Sequence, residues 1–229
     1  MHRRRTIGEE RWPETPDFVA IITAWREDAS TFLLRFIWQA YDLLHSEVLS
    51  GVDFTQVEDD LERSITQYLE LRIHRVMTGD EPFYVQHSPK EDETRKTPPA
   101  QPPLYDIAFA LNQNPRIMWP LEAKVLKTES SIDHYIDAIQ NQFILCRYAP
   151  FSSEGGMVGY LLSGEPSMVF NNIETKLSCA LSDHPAFPDR NHKTSEHHRM
   201  VQIGKAYPHN FRCHHMIFRI RGSVASTTS

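Results

Sequence analysis

Apolar residues at Phe18, Ile22, Trp25, Ala29, Phe32, Phe36, Ala40 and Leu44 recur every three or four positions between Asp17 and Leu49, the spacing that gathers side chains on one face of a helix. It predicts a long amphipathic helix ended by Gly51, either continuous or broken near Glu27-Asp28-Ala29-Ser30. The aromatic stripe is read as packing in the chain's own core, with a homodimer through this N-terminal helix left open. A second helix follows. Asp53 or Thr55 is placed to cap it, Glu58-Asp59-Asp60 suits the dipole of its first turn, Val57, Leu61, Ile65, Tyr68, Leu69 and Ile73 form its apolar face, and Gly79 stops it.

The period then changes to two. Pro82 to His87 is a short strand candidate, and Ser88 to Pro103, rich in charge and proline, reads as a long loop. Tyr105 to Leu111 and Arg116 to Leu126 form a hairpin about Asn112-Gln113-Asn114-Pro115. A helix from Ser131 to Tyr148, a buried strand from Gly155 to Leu162, a helix from Pro166 to Leu181 and a last strand from Met216 to Ile220 complete the reading. Helices and strands mixed without an internal repeat point to one α/β domain over residues 53–221, behind an N-terminal helical extension, 1–52, and ahead of a flexible tail, 222–229.

Composition narrows the class. The 229 residues carry 24 Lys and Arg against 30 Asp and Glu, a net charge of −6, so whole-chain charge gives no reason for a nucleic-acid partner. Between Arg190 and Arg221, however, seven Lys or Arg face one acid, Glu196, and six histidines share the stretch. That makes a basic face with phosphate contacts an expectation. Cys146, Cys179 and Cys213 are odd in number and widely spaced, which fits a reducing cytoplasm rather than a disulfide framework. Arg35, Gln39 and Asp42 interrupt the most apolar segment, so no membrane partner is expected. No glycine-rich phosphate loop and no G-x-S-x-G elbow occurs. His192, His197, His198, His209, Cys213, His214 and His215 are zinc-type ligands, but their spacing lacks a paired ligand motif.

The chemistry concentrates in the hairpin. Glu122 and Lys124 are two apart in a strand and share a face. Asp106, on the partner arm, comes level with Glu122 in a hairpin of this length. Two carboxylates suit a hard divalent cation, and a nearby lysine can orient an attacking water, the arrangement phosphodiester hydrolysis needs. Asp106 followed by Glu122-Ala123-Lys124 resembles the D…ExK signature of the PD-(D/E)XK nuclease superfamily, the restriction-endonuclease-like fold. The order of elements from Thr55 to Leu181 is similar as well.

The resemblance implies a restriction-endonuclease-like mixed sheet flanked by helices, and a nuclease using Mg²⁺ or Mn²⁺ on nucleic acid, DNA ahead of RNA, in a bacterial or phage-defence setting. It implies Asp106, Glu122 and the Ala123 carbonyl as metal ligands, with Glu58 completing the shell and Glu62 as its alternate. Lys124 would position the water, and Gln140, rather than Gln142 on another face, would lie near the site. Ser195-x-His197-x-Arg199 and His214-His215 are similar to elements that some uncharacterised nuclease-like proteins carry after the core. Lys127, Lys193, His197, Arg199, Lys205 and Arg212 are the expected nucleic-acid contacts. The rival reading is a non-catalytic binding or assembly protein that retains the fold.

Overall fold

The computed structural model describes residues 30–94 and 101–220. The expected helical residues Asp17–Ala29, and Arg221 with the tail 222–229, lie outside the described residues. Helix α1 spans Ser30–Glu47 and α2 spans Glu58–Val76. Strands β1 (Phe83–His87), β2 (Ile107–Leu111) and β3 (Asn114–Leu126) precede α3 (Asp133–Ala138), which runs into a wider π turn, Ile139–Phe143. Strand β4 (Glu154–Leu161), α4 (Pro166–Leu177), β5 (Ser182–Asp183), β6 (His192–His198) and β7 (Asn210–Arg219) finish the chain.

All seven strands form one mixed sheet in the order β1-β2-β3-β4-β7-β6-β5. The β1-β2-β3 meander is antiparallel, β4 lies parallel to both β3 and β7, and β6 and β5 return antiparallel. The parallel step needs a crossover, and α3 supplies it. Alternation along β3 sets the two layers. Ile117, Trp119, Leu121, Ala123 and Val125 pack with α1 and α2, whereas Met118 and Leu126 pack with α3 and α4. Among the described residues no helix is long and apolar enough to cross a membrane.

Several local expectations are corrected. Val57 and Tyr68 are 71% and 42% exposed, so the buried stripe of α2 is Leu61, Ile65, Thr66, Leu69 and Ile73. Neither Asp53 nor Thr55 caps α2; Val57 is the N-cap, and Asp53 accepts bonds from the Thr55 backbone N–H and hydroxyl in its own turn. Strands β5 and β6 and the first half of β7 have no counterpart in the sequence reading, and α4 ends four residues before Leu181, at a left-handed Ser178. Pro120 fits because β4 joins β3 only from Leu121, which leaves the proline a strand neighbour on one side alone.

Helix α1 belongs to the same core as α2 and the sheet. Trp38 anchors it, 5.0 Å between ring centroids from Phe218 and beneath the Arg190 guanidinium, and its indole N–H donates to His192 Nδ1 at 3.2 Å. Trp38→Ala is expected to lower stability by about 3–5 kcal/mol. A fall in the urea midpoint at unchanged slope checks this, and an unmoved midpoint rejects it.

Candidate active site

The site forms where β3 outruns its partner. Strand β2 begins with Ile107 opposite Leu121, so beyond Leu121 one edge of β3 has no strand to receive its N–H groups. Carboxylates take that place. Asp106 Oδ2 accepts from the Ala123 backbone N–H at 2.7 Å, and Glu62 Oε2 accepts from that of Val125 at 3.1 Å. Asp106 stands one residue before Ile107 and continues the register opposite Glu122, as the hairpin count predicts.

Lys124 lies among these acids. Its ammonium is 3.0 Å from Glu122 Oε1, 3.0 Å from Glu62 Oε1 and 3.8 Å from Asp106 Oδ2, and it donates to the Ala123 carbonyl at 2.6 Å. Burial pulls the lysine pKa down, but Glu122, Asp106 and Glu62 outweigh it and hold the group above its ordinary value. Burial, reinforced by Asp106, pushes Glu122 up to about 8 against the pull of Lys124. Burial likewise raises Glu62. Glu122 Oε2 is buried and has no hydrogen-bond partner, an arrangement that leaves one lone-pair-bearing oxygen uncompensated.

Glu62, Glu122 and Lys124 open into a cleft of about 270 Å³ whose other walls are the start of α2, with Glu58 and Asp59, and α3, with His134, Asp137 and Ala138, then Gln142 and Tyr148. The cleft is strongly acidic, which suits a cation. Glu62 and not Glu58 is the α2 carboxylate set against Lys124. Glu58 opens the helix at the rim, where it pairs with Lys127 at 2.8 Å, and Glu62 sits one turn deeper beneath the free edge of β3. Gln140 is exposed and absent from the cleft wall; Gln142 is there instead. Gln142 follows Ala138 by about one turn, and across the π turn it stays on the side of the helix that carries His134 and Ala138, whereas Gln140 lies on another. Gln142 Oε1 is a second buried oxygen without a hydrogen-bond partner. Tyr148, His134 and Asp137 carried no motif in the sequence.

The expected nucleic-acid contacts are dispersed. Arg199 is 1% exposed and donates only inward in the bonds described below, so it cannot reach a phosphate backbone. His197 is half-buried, bonded to Ser195, and burial lowers its pKa, which keeps it uncharged. Lys193 pairs with Asp183, Lys205 with Glu93, and Arg212 with Glu196 and Glu154. Arg190 and Arg219 pair with Asp42 and Glu165. Among the described residues, Lys193, Lys205, Arg190, Arg212 and Arg219 of the C-terminal stretch are thus paired with acids, several of them distant in sequence.

One histidine trio, His184, His192 and His214, has ligand atoms within 4.8 Å of one another. Its hydrogen bonds already fix the protons. Trp38 donates to His192 Nδ1, so His192 Nε2 carries the proton and donates to His214 Nδ1 at 3.2 Å; His214 Nε2 then donates to Glu154 Oε2 at 3.1 Å. His184 Nδ1 receives the Ala186 backbone N–H. A cation bound through His184 Nε2 and His192 Nε2 would need each ring to switch tautomer and give up the hydrogen bond that its Nδ1 accepts; as bonded here, Trp38, His192, His214 and Glu154 form a relay joining α1 to the sheet, with the His184 ring stacked 4.6 Å from that of His192. Compared against protein-family models, curated proteins and solved structures, the chain gives no match.

Proposed function

We propose that the chain is a metal-dependent nuclease of the restriction-endonuclease-like kind, hydrolysing nucleic-acid phosphodiester bonds, DNA ahead of RNA. The observation that carries this reading is the meeting of Asp106, Glu122, Glu62 and Lys124 at the free edge of β3, with Glu122 Oε2 buried and unpartnered. Support comes also from the order α2-β1-β2-β3-α3-β4, an antiparallel meander followed by a helical crossover to a parallel strand.

The donor set suits Mg²⁺ or Mn²⁺, which prefer carboxylate and carbonyl oxygens. Asp106 and Glu122 would hold the ion, with the Ala123 carbonyl as a further ligand and Glu62, in place of Glu58, completing the shell. When bound, the ion supplies positive charge against the negative charge that develops on the phosphoryl oxygens. Lys124, kept as an ammonium by its carboxylates, cannot take up a proton; it donates hydrogen bonds that orient the attacking water and stabilise the same developing charge. The cleft walls from α3 and Tyr148 exclude bulk water from that face and offer Gln142 to the substrate.

The test is cleavage of plasmid, linear duplex, single-stranded DNA and RNA with Mg²⁺, with Mn²⁺ and with EDTA, comparing wild type with folded Glu122→Ala. Metal-dependent cutting that Glu122→Ala lacks is the expected result. Equal cutting by both proteins rejects this site, and salt-sensitive binding without cutting by either favours the non-catalytic module.

A further inference from the structure

Ser195, His197 and Arg199 stand at alternate positions from β6 into the residue after it, and none of them enters the cleft. Ser195 and Arg199 are nevertheless tied toward α3 or the turn that follows it, and His197 bonds to Ser195. Arg199 Nε donates to the Phe143 carbonyl at 2.9 Å, Nη1 to those of Ala149 and Ser152 at 2.8 and 3.0 Å, and Nη2 to that of Tyr148 at 2.9 Å. The guanidinium also lies 4.1 Å over the Phe211 ring. Four carbonyls from one turn therefore converge on one planar fork, a task a lysine's point charge cannot reproduce.

That turn needs holding. Cys146 and Ala149 both have left-handed backbones, with φ of 55° and 50°, a conformation that side-chain-bearing residues adopt only under constraint. Tyr148 lies between them, and the backbone N–H groups of Arg147 and Tyr148 both bond to the carbonyl of Gln142. The strained turn is thus the piece of backbone that delivers Gln142 and Tyr148 to the cleft.

Ser195 reaches the same wall by another route. Its hydroxyl is 2.6 Å from His197 Nε2 and 2.7 Å from His215 Nε2, and His215 Nδ1 is 3.0 Å from the hydroxyl of Tyr135 on α3. Tyr135 donates to the Met157 carbonyl on β4. It must then accept from His215 Nδ1, which leaves His215 Nε2 to accept from Ser195 and Ser195 to accept from His197. Every donor in that chain finds an acceptor with both rings neutral. Tyr135 sits one residue from His134 and two from Asp137, which face the cleft.

We infer that Ser195-x-His197-x-Arg199 is a positioning element for the candidate active site: from the sheet face that α3 covers it fixes α3, the π turn and the strained turn 143–152, and so sets Gln142 and Tyr148 opposite Glu122 and Lys124. The inference rests on the nuclease reading for its functional half and on geometry alone for its structural half. It also accounts for why His197 and Arg199 turn inward instead of contacting phosphate.

Two measurements on the full chain separate these halves. Hydrogen exchange of wild type, Arg199→Lys and Ser195→Ala reads the structural half. Exchange in Arg199→Lys is expected to rise at least tenfold over 143–152, and in Ser195→Ala over 133–138, with α2 and β3 unchanged. No local rise, or a uniform rise over the whole chain, overturns the inference. Single-turnover cleavage with a parallel Mn²⁺ titration reads the functional half. Arg199→Lys is expected to cut at least tenfold more slowly with Mn²⁺ affinity within twofold of wild type, since the carboxylates of β2 and β3 are untouched. An unchanged rate, or metal affinity lost in step with rate, overturns it. If the wild type cuts nothing, the nuclease reading falls, and the exchange result alone decides whether this segment holds the cleft wall.

Discussion

Lys124→Met is expected to bind Mn²⁺ at least as tightly as the wild type while cutting about 10²–10³-fold more slowly. The direction of each effect follows from the charges. Lys124 is a cation within 4 Å of Glu122, Glu62 and Asp106. Removing it leaves those carboxylates facing one another, which raises their demand for a positive charge and with it the site's affinity for a divalent ion. The same change deletes the hydrogen-bond donor offered to the water and to the charge developing on phosphate. Methionine keeps the length and apolar stem of lysine, so packing beside Ala138 and Tyr148 is little disturbed. Glu122→Gln should give the opposite split, because it preserves shape and removes a ligand charge: metal affinity falls, and cleavage falls with it. Isothermal titration of Mn²⁺ beside single-turnover cleavage at saturating metal checks the pair. If Lys124→Met lost metal binding, the lysine would be a structural tie, and if it cut at the wild-type rate it would have no part in the chemistry.

The contrast between these two variants was legible in the sequence because it depends on counting along a hairpin. Residues two apart share a face, and the turn at Asn112-Gln113 fixes which residue stands opposite which, so Asp106, Glu122 and Lys124 could be brought together from spacing alone. Helix α2 was equally legible from its 3.6-residue period, although the choice between Glu58 and Glu62 was not. That choice depends on where β2 stops, since the free N–H of Val125 is what draws Glu62 in. The half of the sheet beyond β4 was hidden for a different reason. The β6 sequence His-Lys-Thr-Ser-Glu-His-His has no apolar alternation, and it is a strand because β7 pairs with it along its length. Its buried members, His192 and Ser195, satisfy their polar atoms through partners far away in sequence, such as Trp38 and His215. Charge counting misled for the same reason: Lys193, Lys205 and Arg212 look like a basic face only until Asp183, Glu93 and Glu154 are folded against them. Gln142 follows Ala138 by about one turn and shares its side of the helix; what the sequence hides is that this side, and not that of Gln140, faces the cleft.

The stability of the metal-free chain is expected to pass through a maximum near pH 6 and to fall on both sides, by on the order of a few kcal/mol. The alkaline side belongs chiefly to Glu91 and Glu122, with Glu62 adding to it. Glu91 is 2% exposed, and burial pushes its pKa up from 4.5 to about 8 even though Tyr105 donates to it at 2.5 Å and the Glu93 backbone N–H at 3.0 Å. Glu122 is displaced to a similar value. A carboxyl raised in the folded state retains its proton there while the unfolded chain has already lost it. Its contribution is therefore complete below pH 4.5 and gone once the pH has risen through about 8. The acid side belongs to His184, His192 and His215, which burial lowers to about 4, 2 and 3 from 6.5. Those rings are neutral when folded and charged when unfolded below pH 6.5, so acid removes their share as the pH falls toward the folded values. Glu91→Gln keeps a neutral side chain of the same size beside Tyr105, and it should remove a large part of the alkaline slope, the remainder coming from Glu122 and Glu62. Thermal denaturation between pH 5 and pH 9 in EDTA measures both limbs. An alkaline slope identical in wild type and Glu91→Gln would show that Glu91 is already ionised in the folded chain, and that Tyr105 and the Glu93 N–H outweigh its burial.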